Sequence, residues 1–307
     1  MGKKKASRYP RIFAIETVLG CNLSCPECAV GGGLIERKYG RLSYSDFVKI
    51  FKKIRKHCEY LYLHLWGEPM LNPEIIKMIE HASHFTKTNI STNANTLTEK
   101  GIKDLVASGV TDIIVSIDGM SQGCYSIYRK GGDVSRALQS LSLLVAHAGT
   151  GSPSKLQKIF QKIGMSKRKP QIIPQYVVFE HNQGEVDAFK EYCENINVTP
   201  MFKAPYIRKD SQFSLSDNPL YQRAIEQDLA KRKLAMKCCT DMVETFTILL
   251  DGSVVACCYD HNGLTTFGNI FEQSVEEICQ SEAYQKFCAA RAAGKTPAFC
   301  IEHCLVY

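Results

Sequence analysis

The sequence predicts an α/β protein with a partial (β/α)6 TIM-like barrel in residues 1–205 and a small cysteine-rich domain in residues 206–307. Short β-rich runs alternate with amphipathic helical stretches over the first two thirds of the chain, as expected for βα units around a parallel sheet. Beyond Pro205 this alternation stops, and more than half of the 14 cysteines follow it. These two observations predict the fold class and the division into two domains.

Six β-rich runs and five amphipathic stretches make up the predicted barrel. The candidate strands are Arg11–Glu16, Leu61–Leu65, Thr88–Thr92, Asp112–Ile117, Gln171–Phe179 and Thr199–Lys203. The candidate helices are Tyr44–His57, Pro73–His84, Leu97–Ser108, Val134–Ala148 and Glu185–Asn195. Segment Gly149–Pro170 is rich in Gly, Ser, Pro and Lys and predicts a solvated loop or insertion between the fourth and fifth strands.

The C-terminal region has a different pattern. A charged helix is predicted over Asn218–Lys237. Asp251-Gly252 separates the β-rich runs Thr245–Leu250 and Ser253–Cys257, and this dipeptide predicts a tight hairpin because glycine accepts the positive φ of such a turn. A last helix is predicted over Ser274–Ala293.

Composition restricts the class of protein. A hydrophobic content of 45% and a charged content of 22% are typical of soluble globular proteins, and no run approaches the roughly 20 apolar residues of a membrane helix. The basic N-terminus lacks the apolar stretch of a secretory signal, so we expect a cytoplasmic protein without a membrane partner. Fourteen cysteines then indicate metal or redox chemistry rather than disulfides. The net charge of +7 and the basic stretch Lys162–Lys169 motivate a nucleic-acid-binding alternative, which we do not favour because charged patches are usually solvated faces.

Three thiols lie within eight residues directly after the first predicted strand. They are Cys21, Cys25 and Cys28. A cubane iron–sulfur cluster normally takes four thiolates, so three protein ligands leave one iron open to a small molecule. A zinc site completed by a distant residue is the alternative for the same spacing.

This CxxxCxxC spacing resembles the signature of the radical S-adenosylmethionine (SAM) superfamily, in the loop after the first barrel strand. Gly67-Glu68-Pro69 follows the second strand and is similar to the glycine–glutamate–proline motif of that family, with Trp66 in place of its usual first glycine. The resemblance covers most of residues 11–204. It implies that the triad holds a 4Fe–4S cluster whose open iron chelates SAM, and that Gly67, Glu68 and Pro69 bind the SAM amino group.

By the same resemblance, polar residues at the ends of the third and fourth strands are candidate contacts of SAM or substrate. They are Ser91, Asn93, Ser116 and Asp118. Arg129, in a Tyr-x-x-x-Arg run, resembles the arginine that pairs with the SAM carboxylate. The strand-end residues suit helix caps equally well, and Arg129 suits a surface guanidinium.

The C-terminal cysteines resemble the SPASM and twitch extensions of radical SAM enzymes, which begin with C-x(9–15)-G-x4-C. Twelve residues separate Cys239 from Gly252, and four separate Gly252 from Cys257. The predicted ligands of an auxiliary 4Fe–4S cluster are Cys239, Cys257, Cys300 and Cys304, with Cys238 and Cys258 as alternatives one residue away. The shorter twitch form with one cluster is expected, and a four-cysteine zinc site is the alternative.

The resemblance implies a radical SAM enzyme that cleaves SAM reductively to a 5′-deoxyadenosyl radical and abstracts a substrate hydrogen. With an auxiliary cluster to accept the remaining electron, we expect a dehydrogenase acting on a small polar substrate such as a carbohydrate or aminocyclitol. An external one-electron reductant of the flavodoxin or ferredoxin type is the expected partner.

Three alternatives remain for the function. An epimerase would need a thiol that returns a hydrogen atom, for which Cys124 and Cys258 are candidates. A peptide-modifying maturase is the second, disfavoured because the first strand begins within a dozen residues of Met1 and leaves no room for an N-terminal peptide-recognition domain. The third, from another class, is a non-catalytic iron–sulfur electron-transfer protein, against which the open iron of the triad argues.

Overall fold

The computed structural model describes residues 9–149, 169–208, 211–222, 245–293 and 295. Its strands are β1 Ile12–Ile15, β2 Val18–Leu19, β3 Gly40–Arg41, β4 Tyr60–Tyr62, β5 Lys87–Thr92, β6 Asp112–Ser116, β7 Gln171–Val177, β8 Met201–Lys203, β9 Thr245–Ile248, β10 Ser253–Val255 and β11 Gly268–Asn269. Its helices are α1 Tyr44–Ile54, α2 Ile75–Ser83, α3 Glu99–Ala107, α4 Gln122–Tyr128, α5 Val134–Ala148, α6 Val186–Asn195, α7 Val275–Gln280 and α8 Glu282–Ala292.

Within these residues the main sheet runs β11-β10-β9-β1-β4-β5-β6-β7-β8. The six predicted barrel strands, β1 and β4 to β8, lie side by side in chain order and pair in parallel. Helices connect successive strands, and their apolar faces cover the outside of the sheet. The α/β class and the partial (β/α)6 barrel are therefore confirmed.

The predicted hairpin around Asp251-Gly252 is present, with β9 and β10 antiparallel. It does not form a separate sheet, because β9 pairs in parallel with β1 through the register Ile12↔Thr245 to Ile15↔Ile248. The C-terminal strands thus extend the barrel sheet on its β1 side. The domain boundary at residues 205/206 stays a prediction.

The described helices differ from the prediction at three places. The single helix predicted over Ser274–Ala293 is two helices, because Ser281 has an extended backbone and its side chain accepts the amide of Tyr284 to begin α8. Helix α4, capped by Ser121, was not predicted. The predicted helix Asn218–Lys237 does not begin at Asn218, because the described residues 218–222 form a short 3-10 turn, Pro219–Tyr221, followed by extended backbone at Gln222. The rest of that helix and most of the segment Gly149–Pro170 lie outside the described residues. No described helix is long and apolar enough to traverse a lipid bilayer.

A buried ion pair fastens the cysteine-bearing loop to the C-terminal hairpin. Glu16, which follows β1, is fully buried, and both of its carboxylate oxygens accept from the Arg37 guanidinium at 2.8 Å. The amide of Leu250, just after β9, donates to the same carboxylate at 2.9 Å. The Glu16 carboxylate therefore joins the end of β1, the cysteine-bearing loop and the C-terminal hairpin.

Replacing Arg37 with Met should lower the free energy of unfolding of the metal-free chain by about 3–5 kcal/mol, because it leaves the buried Glu16 carboxylate without its counter-ion. Urea denaturation measures the change. The matched control is Lys49→Met, which breaks an exposed pair with Asp46 and should cost less than about 1 kcal/mol. Equal losses in the two variants would contradict the assignment.

A second set of contacts holds the C-terminal helices against α1. The ammonium of Lys53 donates to the carbonyls of Ile270, Phe271 and Gln273 at 2.7–3.0 Å. His57 Nε2 lies 2.6 Å from Glu276 Oε1. The residues around β11 and α7 are therefore packed on the barrel.

Candidate active site

A cavity of about 740 Å³ opens at the carboxyl ends of the parallel strands. The barrel places ten of the predicted site residues in its lining, contributed by loops and strand ends far apart in sequence. They are Cys21, Cys25, Cys28, Gly67, Glu68, Ser91, Asn93, Ser116, Arg129 and Cys258. Four others, Pro69, Asp118, Cys124 and Cys257, are described but do not line it. Cys238, Cys239, Cys300 and Cys304 lie outside the described residues.

The three cysteines of the triad occupy a tightly wound loop after β1. A Cβ atom on Gly31 would lie 2.4 Å from the backbone N and O of Cys25, so only glycine allows the loop to fold over this cysteine. The sulfur atoms face hydrogen-bond donors: the amide of Leu23 lies 3.4 Å and Asn93 Nδ2 3.7 Å from Cys21 Sγ, and Arg129 Nη1 lies 3.9 Å from Cys25 Sγ. Such donors around cluster sulfurs are typical of iron–sulfur sites.

Glu68 joins two strand ends behind the triad. Its buried carboxylate accepts from the Met70 amide at 3.1 Å, the Thr92 hydroxyl at 2.8 Å and the Asn93 amide at 2.8 Å. A carboxylate offers about four acceptor sites, so these three contacts leave little capacity for a ligand ammonium. The geometry gives this side chain a structural task in addition to its predicted contact with SAM.

Gly67→Ala should disturb this arrangement. Gly67 has a φ of +101°, and a Cβ atom there would lie 2.6 Å from the Gly20 carbonyl oxygen and 2.8 Å from that of Val18. The strain should cost about 1–3 kcal/mol in the free energy of unfolding, and it should displace the residues before Cys21. The control is Gly123→Ala in α4, where nothing lies within 4 Å of the added atom. Urea denaturation and SAM binding by equilibrium dialysis check both variants, and similar behaviour would contradict the prediction.

Arg129 is anchored inside the protein. Its Nε donates to Asp118 Oδ2 at 2.6 Å, and the other oxygen of Asp118 accepts the amide of Val177 at 2.7 Å. Asp118 is fully buried behind Arg129. Arg129 therefore presents its Nη atoms to the cavity beside Cys25, whereas Asp118 orients it. The predicted ligand contacts of Asp118 and of Pro69 stay predictions.

The two candidate hydrogen donors for epimerisation differ in position. Cys124, on α4, has its sulfur 3.7 Å from the carbonyl of His181 and is not part of the cavity lining. Cys258, in the turn after β10, does line the cavity. Only Cys258 is therefore kept as a candidate below.

A polar lumen in the barrel was missed by sequence reasoning. We use this name for the inward-facing side chains of successive strand ends that line the cavity, namely Tyr62, His64, Ser91, Ser116, Gln175, Lys203, Thr245 and Thr247. The sequence held a signal for it: Leu61 and Leu63 are fully buried in the apolar core, whereas the alternate residues Tyr62 and His64 line the cavity. A strict alternation in a parallel strand that should be apolar on both faces indicates a polar interior.

Comparison with known protein families explains the cysteine triad. The family model of the radical SAM superfamily matches residues 15–152, which contain the triad, Gly67-Glu68-Pro69 and Arg129. This chain has a radical SAM domain. The model of the SPASM iron–sulfur cluster-binding domain matches residues 238–305 of this radical SAM protein, so the predicted C-terminal extension is confirmed as SPASM-like. The number of auxiliary clusters stays a prediction.

Two relatives and one solved structure are similar to this radical SAM protein. The tungsten-containing aldehyde ferredoxin oxidoreductase cofactor-modifying protein of Pyrococcus furiosus is 25% identical, over 89% of this chain and 82% of its own. The mycofactocin maturase MftC of Mycobacterium ulcerans is 24% identical, over 62% of this chain and 46% of its own. The structure of anSMEcpe with bound AdoMet and Cp18Cys peptide superposes with a TM-score of 0.62 at 16% identity, over 95% of this chain and 86% of that one, which shows a shared fold.

The radical SAM domain implies a 4Fe–4S cluster and SAM, and the SPASM domain implies auxiliary iron–sulfur binding. The triad suits the first cluster because its three thiols line one cavity beside N–H donors. No three His, Cys, Asp or Glu side chains of the described ranges converge on a single ion, but the cysteines of a cubane bind separate irons. Burial raises the pKa of the metal-free Cys25 thiol to about 12, so metal binding must displace its proton.

His64 stands out among the lumen residues of the radical SAM protein. Burial lowers the pKa of its imidazole to about 4, the nearby backbone of Asn89 opposes this shift, and the charge of Lys203 adds to it. Nδ1 is buried without a hydrogen-bond partner among the residues the structure describes. The ring is therefore neutral near pH 7.

The same burial predicts a pH dependence of stability. Because the pKa of His64 falls from 6.5 in the unfolded chain to about 4 in the folded one, the unfolded chain takes up the proton first. The stability that depends on a neutral His64 is fully present above pH 6.5. It is lost as the pH falls towards 4, which lowers the free energy of unfolding by up to about 3 kcal/mol. Urea unfolding of the metal-free wild type and His64→Gln should show this difference, and a difference that does not change with pH would contradict it.

Proposed function

We propose that this radical SAM enzyme is a dehydrogenase that oxidises a hydroxyl group of a small polar substrate such as a carbohydrate or aminocyclitol. The polar lumen is the observation that carries the proposal. Closed TIM barrels fill their interior with Val, Ile and Leu. Here hydroxyl, amide, imidazole and ammonium groups lie among apolar side chains such as Leu65, Val177 and Phe179 in the lining of the cavity beside the triad. Such a lining suits a ligand that carries several hydroxyl or amino groups.

Different groups at the cavity have different roles in the proposed reaction. When bound, the SAM-ligated cluster supplies a 5′-deoxyadenosyl radical that removes a hydrogen atom from the carbon bearing the hydroxyl group, and an auxiliary cluster supplies the acceptor for the remaining electron. We assign His64 as the base that takes the hydroxyl proton. The support for this role is geometric, because His64 lines the cavity and its buried Nδ1 has no hydrogen-bond partner among the described residues. Gln175 Nε2 lies 3.4 Å from Ser116 Oγ, and these two polar groups can orient the substrate.

One relative supports a small substrate, whereas the superposed anSMEcpe structure has a bound peptide. The relative aligned over most of both chains is named for modifying a cofactor. The relative named a maturase aligns over less than half of its own length. Peptide maturation is nevertheless the second candidate, because that name belongs to a related SPASM protein. Epimerisation, with Cys258 returning the hydrogen atom, uses the same cavity.

The test is turnover of anaerobically reconstituted enzyme with SAM and a flavodoxin reducing system in deuterated water. The probes are myo-inositol, 2-deoxy-scyllo-inosamine and glucosamine, each followed by mass spectrometry. Formation of 5′-deoxyadenosine together with a product that has lost two hydrogen atoms supports dehydrogenation. A product of unchanged composition that has gained one deuterium identifies epimerisation. Failure of all three probes, with modification of a co-expressed peptide, overturns the proposal in favour of maturation.

A further inference from the structure

Trp66 occupies an unusual place in this chain. It is the sole tryptophan of the sequence, and it stands where the family motif usually has glycine. It lines the cavity, and its indole Nε1 donates a hydrogen bond of 2.7 Å to the carbonyl of Cys258. Its ring lies nearly perpendicular to that of His261, with 5.8 Å between the ring centres. Trp66 therefore contacts the turn that carries the predicted auxiliary ligand Cys257.

The backbone next to Trp66 is tied to the triad. The amide of Glu68 donates to the carbonyl of Gly20, immediately before Cys21, at 2.9 Å. Gly67 packs so closely on Gly20 that a Cβ atom has no room. The segment from Trp66 to Glu68 thus has one end fixed to the cysteine loop and its indole fixed to the C-terminal turn.

Internal hydrogen bonds hold the turn that contains Cys257 and Cys258. The carboxylate of Asp260 is buried and accepts the amides of Leu264 and Thr265 at 2.8 and 2.7 Å, as well as the Thr265 hydroxyl. The amide of Asp260 donates to the carbonyl of Cys257 at 3.2 Å. The turn is therefore held by its own hydrogen bonds, and its Cys258 carbonyl accepts the indole N–H of Trp66.

We propose that Trp66 is a positioning residue that fixes the Cys257–Cys258 turn, which carries the predicted auxiliary ligand Cys257, against the wall of the cavity that contains the triad. Glycine at this position offers no side chain to reach the turn, and phenylalanine offers a ring without a donor. The inference does not depend on the substrate or reaction proposed above.

The first test examines the metal-free protein, where the fluorescence of a sole tryptophan reports the turn directly. Asp260→Ala should loosen the turn and shift the Trp66 emission to longer wavelength, because the indole loses the Cys258 carbonyl and gains water. The matched control is Asp251→Ala at the exposed hairpin tip, which should leave the emission unchanged. Circular dichroism verifies that each variant is folded. A wild-type emission that is already that of a solvent-exposed indole, and that Asp260→Ala leaves unchanged, overturns the proposal.

The second test examines the loaded auxiliary site without substrate. In a background with the three triad cysteines replaced by alanine, the predicted cluster ligands that remain are the C-terminal cysteines. Trp66→Phe should shorten the lifetime of this cluster in air about fivefold, the factor that corresponds to one lost hydrogen bond. It should also broaden the electron paramagnetic resonance spectrum of the cluster after anaerobic reduction with dithionite. Phe85→Leu, which removes a surface aromatic outside the cavity lining, is the control. Equal lifetimes and spectra in the two variants overturn the positioning role.

Discussion

Replacing Cys21, Cys25 and Cys28 together with alanine should abolish 5′-deoxyadenosine formation and lower the iron content of anaerobically reconstituted protein from about eight to about four per chain. The three thiols line one cavity, so their removal leaves the SAM-binding cluster without protein ligands. The SPASM region should keep its iron because its cysteines are untouched. Iron and sulfide analysis, with chromatographic assay of SAM cleavage, measures both effects.

The control for this prediction is Cys193→Ala, because Cys193 is buried in the apolar core away from the cavity. It should keep its full iron content and its SAM cleavage. Retention of SAM cleavage by the triple variant would show that the triad is not the catalytic site. About four irons in the wild type and none in the triple variant would remove the auxiliary cluster, and with it the main reason for proposing dehydrogenation.

His64→Gln should lower the rate of product formation by about 10²–10⁴-fold, the usual contribution of a general base. Glutamine preserves the size and hydrogen-bonding capacity of the side chain but takes up no proton. Hydrogen abstraction precedes proton removal, so 5′-deoxyadenosine should still form. The measurement is the ratio of 5′-deoxyadenosine to oxidised product, with whichever probe is turned over.

The matched control is His84→Gln at the end of α2, outside the cavity lining, which should keep the wild-type ratio. If His64→Gln slows both products equally, His64 has a structural role only. If it changes neither, the proton goes to another group, and Lys203 is then the next residue to replace.

Local signals predicted much of the fold. The alternation of strands and helices set the parallel order of β1 and β4 to β8, and the Asp251-Gly252 pair predicted the hairpin. Ser281 carried a cap signal that was overlooked within a longer helical pattern. The pairing of β9 with β1 had no local signal, because the two strands are more than 200 residues apart in the sequence.

In the candidate site, too, residues with a local sequence signal were predicted and contacts that depend on tertiary structure were not. The triad and Glu68 were found because their spacing is characteristic, and the cavity brings them together. The contact of Trp66 with Cys258 and the burial of Asp118 behind Arg129 depend on tertiary packing that no spacing reveals. His64 was missed because a lone histidine in a strand is usually a core residue, and only its cavity position distinguishes it.

The pairing of β1 with β9 has a consequence for how this protein is made. β1 lies between β4 and β9, so until residues 245–248 have been synthesised one side of β1 is an edge with unpaired backbone groups. Closing this contact joins residues far apart in the chain, which is a slow kind of folding step. The cysteine loop that follows β1 therefore makes its contacts with the C-terminal hairpin late in folding. We expect cluster insertion to be most efficient after this hairpin has paired with β1.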